Sequence, residues 1–168
     1  MNRRITKRVE EVLARARVST PPVDVMAVSE LYDVDVKFGA LPDDLSGFLI
    51  HEDDRVVIGV NSLHPKTRQR FTIAHELGHH LLHPRDNFVD RQLVFFRDNR
   101  SGQASDSREI EANQFAADLL MPEKLLFKKL RKRPVDLEDD EAIAALARVF
   151  AVSPQALTFR LANLNLAQ

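Results

Sequence analysis

Apolar residues recur at helical spacing near the start of the chain. Ile5, Val9, Val12, Leu13 and Ala16, separated by charges, predict an amphipathic helix from about Arg3 to Arg17. Thr20-Pro21-Pro22 stops it. Val25, Met26, Val28 and Leu31 mark a shorter helix within Val23 to Tyr32. The period then changes to two. Val34-Asp35-Val36-Lys37-Phe38 alternates as a strand does. Leu45 to His51 and Arg55 to Asn61 follow as two more strands, joined by the charged turn Glu52-Asp53-Asp54 into a hairpin.

A long helix is expected from His64-Pro65, because proline suits a first turn where no amide donor is needed. Phe71, Ile73, Ala74, Leu77, Leu81 and Leu82 give it a wide apolar surface, and Pro84 ends it. The polar run from 97 to 107 reads as a mobile loop, with Ser105 or Ser107 able to cap the next helix, which stops at Met121-Pro122. The remainder reads as helical. Glu123 to Arg133 is basic on its outer face, and Glu138 to Phe150 and Pro154 to Leu164 form a helix-turn-helix pair around Val152-Ser153. The pattern predicts an α+β fold. A small mixed or antiparallel three-stranded sheet packs on helices, in a domain over residues 1–122 with a helical extension over 123–168 on the same body.

Composition narrows the chemistry. There is no cysteine, so disulfides, thiolate nucleophiles and Cys-based metal sites are excluded, and any metal must rest on imidazole and carboxylate. A net charge of -1 gives no reason to expect a polyanion or a membrane surface as the main partner. The N-terminus has no apolar run behind Arg3-Arg4 and no stretch is long enough to span a bilayer, so the expected location is the cytoplasm.

His75-Glu76-Leu77-Gly78-His79 lies on the long helix. Histidines four apart project from one face, about 5–6 Å apart at Cβ, and two nitrogens can then reach one zinc ion at roughly 2.0–2.1 Å. Glu76 sits about 100° round the helix, beside the metal and not on it. It is the expected general base: it takes a proton from the attacking water and returns it to the leaving amine, while zinc acidifies the water and polarises the carbonyl. Gly78 leaves room for substrate or for a neighbouring segment.

Catalytic zinc needs a third protein ligand and an open position. His83 lies about 12 Å along the axis from His75 and cannot converge with it. His80 points elsewhere. The helix around Arg108-Glu109-Ile110-Glu111-Ala112-Asn113 offers two carboxylates, and residues two apart face opposite sides. Glu111 shares a face with Phe115 and Asp118 beside the stripe of Ala112, Ala116 and Leu119, so Glu111 is the expected ligand and Glu109 the outer residue. Asp118 is a candidate acceptor for the second N–H of a ligand imidazole. Tyr32, His51 and His64 are weighed as oxyanion donors and none is assigned.

The blocks Arg70-Phe71-Thr72-Ile73-Ala74-His75-Glu76-Leu77-Gly78-His79 and Glu109-Ile110-Glu111-Ala112-Asn113-Gln114-Phe115-Ala116-Ala117-Asp118-Leu119-Leu120-Met121-Pro122 resemble the ImmA/IrrE metallopeptidases, with likeness from about Val23 to Leu166. The resemblance implies a zinc peptidase of gluzincin type, with His75, His79 and Glu111 as ligands, that cleaves a transcriptional repressor controlling mobile-element or DNA-damage genes. It also likens Val56 to Asn61 to the edge strand on which zincins lay the substrate backbone. Manganese or iron could compete with zinc for such donors. The C-terminal pair looks like a helix-turn-helix, but Asp136, Glu138, Asp139, Asp140 and Glu141 precede it, which speaks against direct DNA binding. The basic run Lys124, Lys128, Lys129, Arg131, Lys132 and Arg133 reads as a solvated face. A binding module that sequesters a repressor or antitoxin without cleaving it is the alternative.

Overall fold

The structure is a computed structural model that describes residues 2–52, 55–84, 88–90, 107–131 and 135–166. Helix α1 (Arg3–Arg15) buries Ile5, Val9 and Val12, one face of its predicted periodicity, and Asn2 caps it by accepting from the Arg4 amide. Helix α2 (Val25–Glu30) is capped by Asp24, whose carboxylate accepts from the amides of Met26 and Ala27. Strands β1 (Val34–Gly39), β2 (Gly47–Glu52) and β3 (Arg55–Asn61) follow, then α3 (Lys66–Leu82), β4 (Phe88–Asp90) and α4 (Ser107–Leu120). Helices α5 (Glu123–Leu130), α6 (Asp140–Phe150) and α7 (Pro154–Asn163) complete the described chain.

The α+β class and mixed sheet are as expected. The sheet order is β1-β3-β2-β4, with β1 parallel to β3 and the other neighbours antiparallel. The short strand β4 was not foreseen. It pairs with Gly47 to Leu49 of β2 and forms one edge of the described sheet. The expected edge strand, Val56 to Asn61, is instead interior. β1 covers one side of β3 and β2 the other, and Ile58 through Asn61 are all buried. The nearly unbroken run Val56-Val57-Ile58-Gly59-Val60 is the pattern of a strand covered on both faces. The expectation for the 97–107 loop falls, but for Ser107, outside the described residues, as do Lys132 and Arg133 of the basic run.

Two buried polar side chains set the strand-to-helix corner that positions α3. Asn61 donates to the carbonyls of Leu41, Pro42 and Leu45 and accepts from the amide of Leu63, fixing the segment that enters β2. Gln69 donates to the carbonyls of Ser62 and His64. That closes the turn ahead of α3, whose N-cap Pro65 has no side chain able to cap it.

Helix α3 lies between the sheet and α4. Phe71 through His79 are buried without a break, so it has no solvated face over those two turns. Buried residues of α6 and α7, including Ile143, Phe150, Leu157 and Leu161, join the same apolar cluster as Leu49, Leu77 and Phe115. Between α6 and α7 the chain turns by 95°. Ala151 takes a left-handed φ of 52° there, and Ser153 caps α7 with Pro154 in its first turn. No single helix among the described residues is long and apolar enough to cross a membrane.

Candidate metal centre

His75 and His79 are 0% and 1% exposed on the face of α3 turned toward α4. Their Nε2 atoms are 3.0 Å apart. Glu109, in the first turn of α4, places Oε2 at 3.2 Å from Nε2 of His75 and Oε1 at 3.2 Å from Nε2 of His79. Among the described residues these three form a cluster able to hold a metal ion. Around a tetrahedral ion bound at about 2.0–2.1 Å, neighbouring ligand atoms lie about 3.3–3.4 Å apart. The Nε2–Nε2 separation of 3.0 Å, and the separations of 3.2 Å from each Nε2 to its own oxygen of Glu109, match that within a few tenths of an ångström. Imidazole and carboxylate also suit a zinc-type cation. The residues fit the ion.

Asn113, one turn beyond Glu109, lies with Oδ1 at 3.1 Å from Nδ1 of His75. With Nδ1–H donating to that oxygen, Nε2 keeps its lone pair for the metal. The electrostatics agree. Burial pushes the Glu109 carboxyl up, but the His75 and His79 rings that face it outweigh this and hold the group far below the usual carboxylate range. Burial lowers His79 below the ordinary imidazole value; the Glu109 hydrogen bond opposes this and neighbouring His75 adds to it. Both shifts favour the unprotonated forms that bind metal.

Glu111 does not join the cluster. It faces His83, with Oε2 at 3.4 Å from Nε2. The expected third ligand is therefore replaced in the geometry by Glu109. The reason is the rotation of α4. Phe115 packs on Gly78, where an added Cβ would meet the ring at 3.1 Å. Gly78 thus makes room for a neighbouring segment. Around α4 the buried stripe of Ala112, Phe115 and Ala116 lies between the two carboxylates, so that Glu109 flanks it on the side of His75 and His79 and Glu111 on the side of His83. The signal was present, since Glu109 precedes Ala112, Asn113 and Ala116 by three, four and seven residues.

Asp118 also lies elsewhere, paired with Arg160 and accepting from Thr6, so it orients no ligand imidazole. Asn113 is the residue of that kind which sequence reasoning missed. His80 meets His51 instead, at 3.0 Å, tying the end of α3 to β2.

Glu76 is fully buried on α3. It faces the start of β2, where a Cβ on Gly47 would lie 3.7 Å from its Oε1. The same Cβ would crowd the carbonyl oxygen of Gly59 at 2.7 Å, and Thr72 more closely still. Glycine at 47 is what lets the sheet approach the carboxylate so nearly.

A His-Glu-x-x-His helix buried against a mixed sheet, and completed by a carboxylate from a second helix, is the arrangement of a mononuclear metallopeptidase domain. The comparisons agree. The family model described as the IrrE N-terminal-like domain of peptidase family M78 matches residues 30–162, and the chain belongs to that family. An "Uncharacterized immunity region protein 2" of Bacillus phage phi105 is 29% identical over 68% of this chain and 66% of its own length. The "Metallopeptidase ImmA" of Bacillus subtilis is 35% identical over 61% of this chain and 59% of its own. The chain thus spans less than two thirds of these relatives. A solved "Mycobacterium tuberculosis transcriptional regulator" shares the fold with a TM-score of 0.64 at 21% identity, over 96% of this chain and 47% of that one.

Proposed function

We propose that the chain is a zinc-dependent, site-specific endopeptidase of the cytoplasm whose substrate is a transcriptional repressor. The observation that carries the chemistry is the buried Glu76 carboxylate on the same helix as His75 and His79, which converge with Glu109 of α4. The printed names of the immunity-region and ImmA relatives support a repressor-linked substrate.

His75, His79 and Glu109 would hold the ion, and Asn113 would keep His75 in the correct tautomer. When bound, the ion supplies Lewis acidity to the attacking water and the scissile carbonyl. Glu76 acts as general base. Its carboxylate takes a proton from the water as the new C–O bond forms, then gives it to the leaving amine as the C–N bond breaks. Burial keeps bulk water from levelling that exchange.

The test is Glu76→Gln, with a co-expressed helix-turn-helix repressor as substrate. Metal content should be unchanged, while cleavage falls by about 10²–10⁴-fold. If the variant relieves repression as well as wild type, the protein acts by sequestration and the peptidase reading is wrong.

A further inference from the structure

Asp118 and Arg160 are 3% and 5% exposed, and Oδ1 of one lies 2.5 Å from Nη1 of the other. Such a pair is stable only when its remaining polar atoms are also satisfied. Here Asp118 Oδ2 accepts from Thr6 Oγ1 at 3.1 Å and from Gln114 Nε2 at 3.4 Å. Arg160 Nε donates to the carbonyl of Met121 at 3.2 Å. One turn back on α4, Gln114 exchanges hydrogen bonds with the backbone of Asn2 at 2.9 and 3.1 Å.

All of these anchors lie behind the metal cluster. At about 100° per residue, Asp118 sits about 180° round α4 from Glu109, and Gln114 about 140°. Asn113, which meets His75, is only about 40° away. One face of α4 therefore carries the metal-facing groups, and the opposite face is fixed to α1 and α7. A side-chain atom about 5–6 Å from the helix axis moves about 2 Å for a 20° rotation. Metal–ligand distances tolerate about 0.2 Å.

We propose that Asp118 and Arg160 are positioning residues for Glu109. Their ion pair sets the rotation of α4 from behind, so that the carboxylate and Asn113 meet the imidazoles of α3. This rests on the reading of His75, His79 and Glu109 as the ligand set. It also gives α7 a part in building the centre.

The experiment is Co²⁺ binding to the full chain, followed by chelator competition and by the visible absorption of the cobalt site. The double variant Asp118→Leu/Arg160→Leu replaces the pair with apolar side chains, an exchange that buried ion pairs often tolerate. It should keep its far-UV dichroism yet bind Co²⁺ about 10–100-fold more weakly, with an altered spectrum. Arg160→Lys, which keeps the charge, should fall between it and wild type and serves if the double variant does not fold. Leu146→Ala, a core truncation in α6, should lower thermal stability without changing Co²⁺ affinity. The proposal is overturned if the double variant or Arg160→Lys binds with wild-type affinity and spectrum, or if Leu146→Ala weakens binding as much. The ligand assignment itself fails separately, if His75→Ala binds Co²⁺ as tightly as wild type.

Discussion

Helices α3 and α4 meet through two acid–imidazole contacts built from the same residue types. At one, Glu109 faces His75 and His79, which are almost wholly buried. At the other, Glu111 faces His83, with side chains 32% and 13% exposed. The first brings three residues to one point; the second brings two. Residue type does not separate these contacts. Convergence and the burial of the histidines do, since the Glu109 side chain, at 40%, is no less exposed than that of Glu111: an ion needs several ligand atoms at once.

Both contacts depend on the packing of α4 on α3, which can be strained directly. Gly78→Val would thrust a branched side chain into Phe115, which already lies 3.1 Å from an ideal Cβ. Overpacking of this kind costs about 1–3 kcal/mol. Thermal unfolding should show that loss, and metal affinity should fall with it as α4 is pushed off α3. An unchanged melting temperature would mean that the helices do not need this close approach.

Asn113→Ala sharpens the comparison without moving the helices. It removes the acceptor for Nδ1 of His75 and should weaken metal binding about 10–100-fold. Asn113→Asp, which keeps an acceptor, should restore most of the affinity in a chelator titration.

Acidification acts on the buried contact in a definite direction. His79 is lowered from 6.5, so the folded state resists its protonation and stability declines as pH falls below about 6.5. Glu109 is lowered from 4.5, so its contribution is present above that value and is lost as pH falls further. The melting temperature of the metal-free protein should therefore drop from pH 7 to pH 4. A flat profile would contradict the His79 shift.

The smallest effect belongs to the outer contact. His83→Ala should change stability by no more than about 1 kcal/mol, as for other partly exposed ion pairs, and should leave metal affinity within about threefold, well below the loss expected for a residue that orients a ligand.

How much of this was legible in the sequence follows from the range of each interaction. The placing of His75, Glu76 and His79 on one helix was readable because that relation is local. So were the turn at Val152-Ser153 and the stop at Pro84. The interior position of β3 depended on a pairing with β1 across more than twenty residues of chain, although its unbroken apolar run was a usable sign. The choice between Glu109 and Glu111 depended on the rotation of α4. That rotation is fixed by what α4 packs against, which neither helix displays alone. Asp118 was expected to accept from a ligand imidazole, but its partner is Arg160, brought in by α7.

The most direct test is a paired zinc titration of Glu109→Gln and Glu111→Gln against wild type. Loss of a metal ligand should weaken binding by at least about 100-fold in Glu109→Gln, beyond what an orienting residue contributes. Glu111→Gln should stay within about threefold of wild type. The reverse order, with Glu111→Gln losing zinc and Glu109→Gln retaining it, would contradict the ligand set on which the account stands.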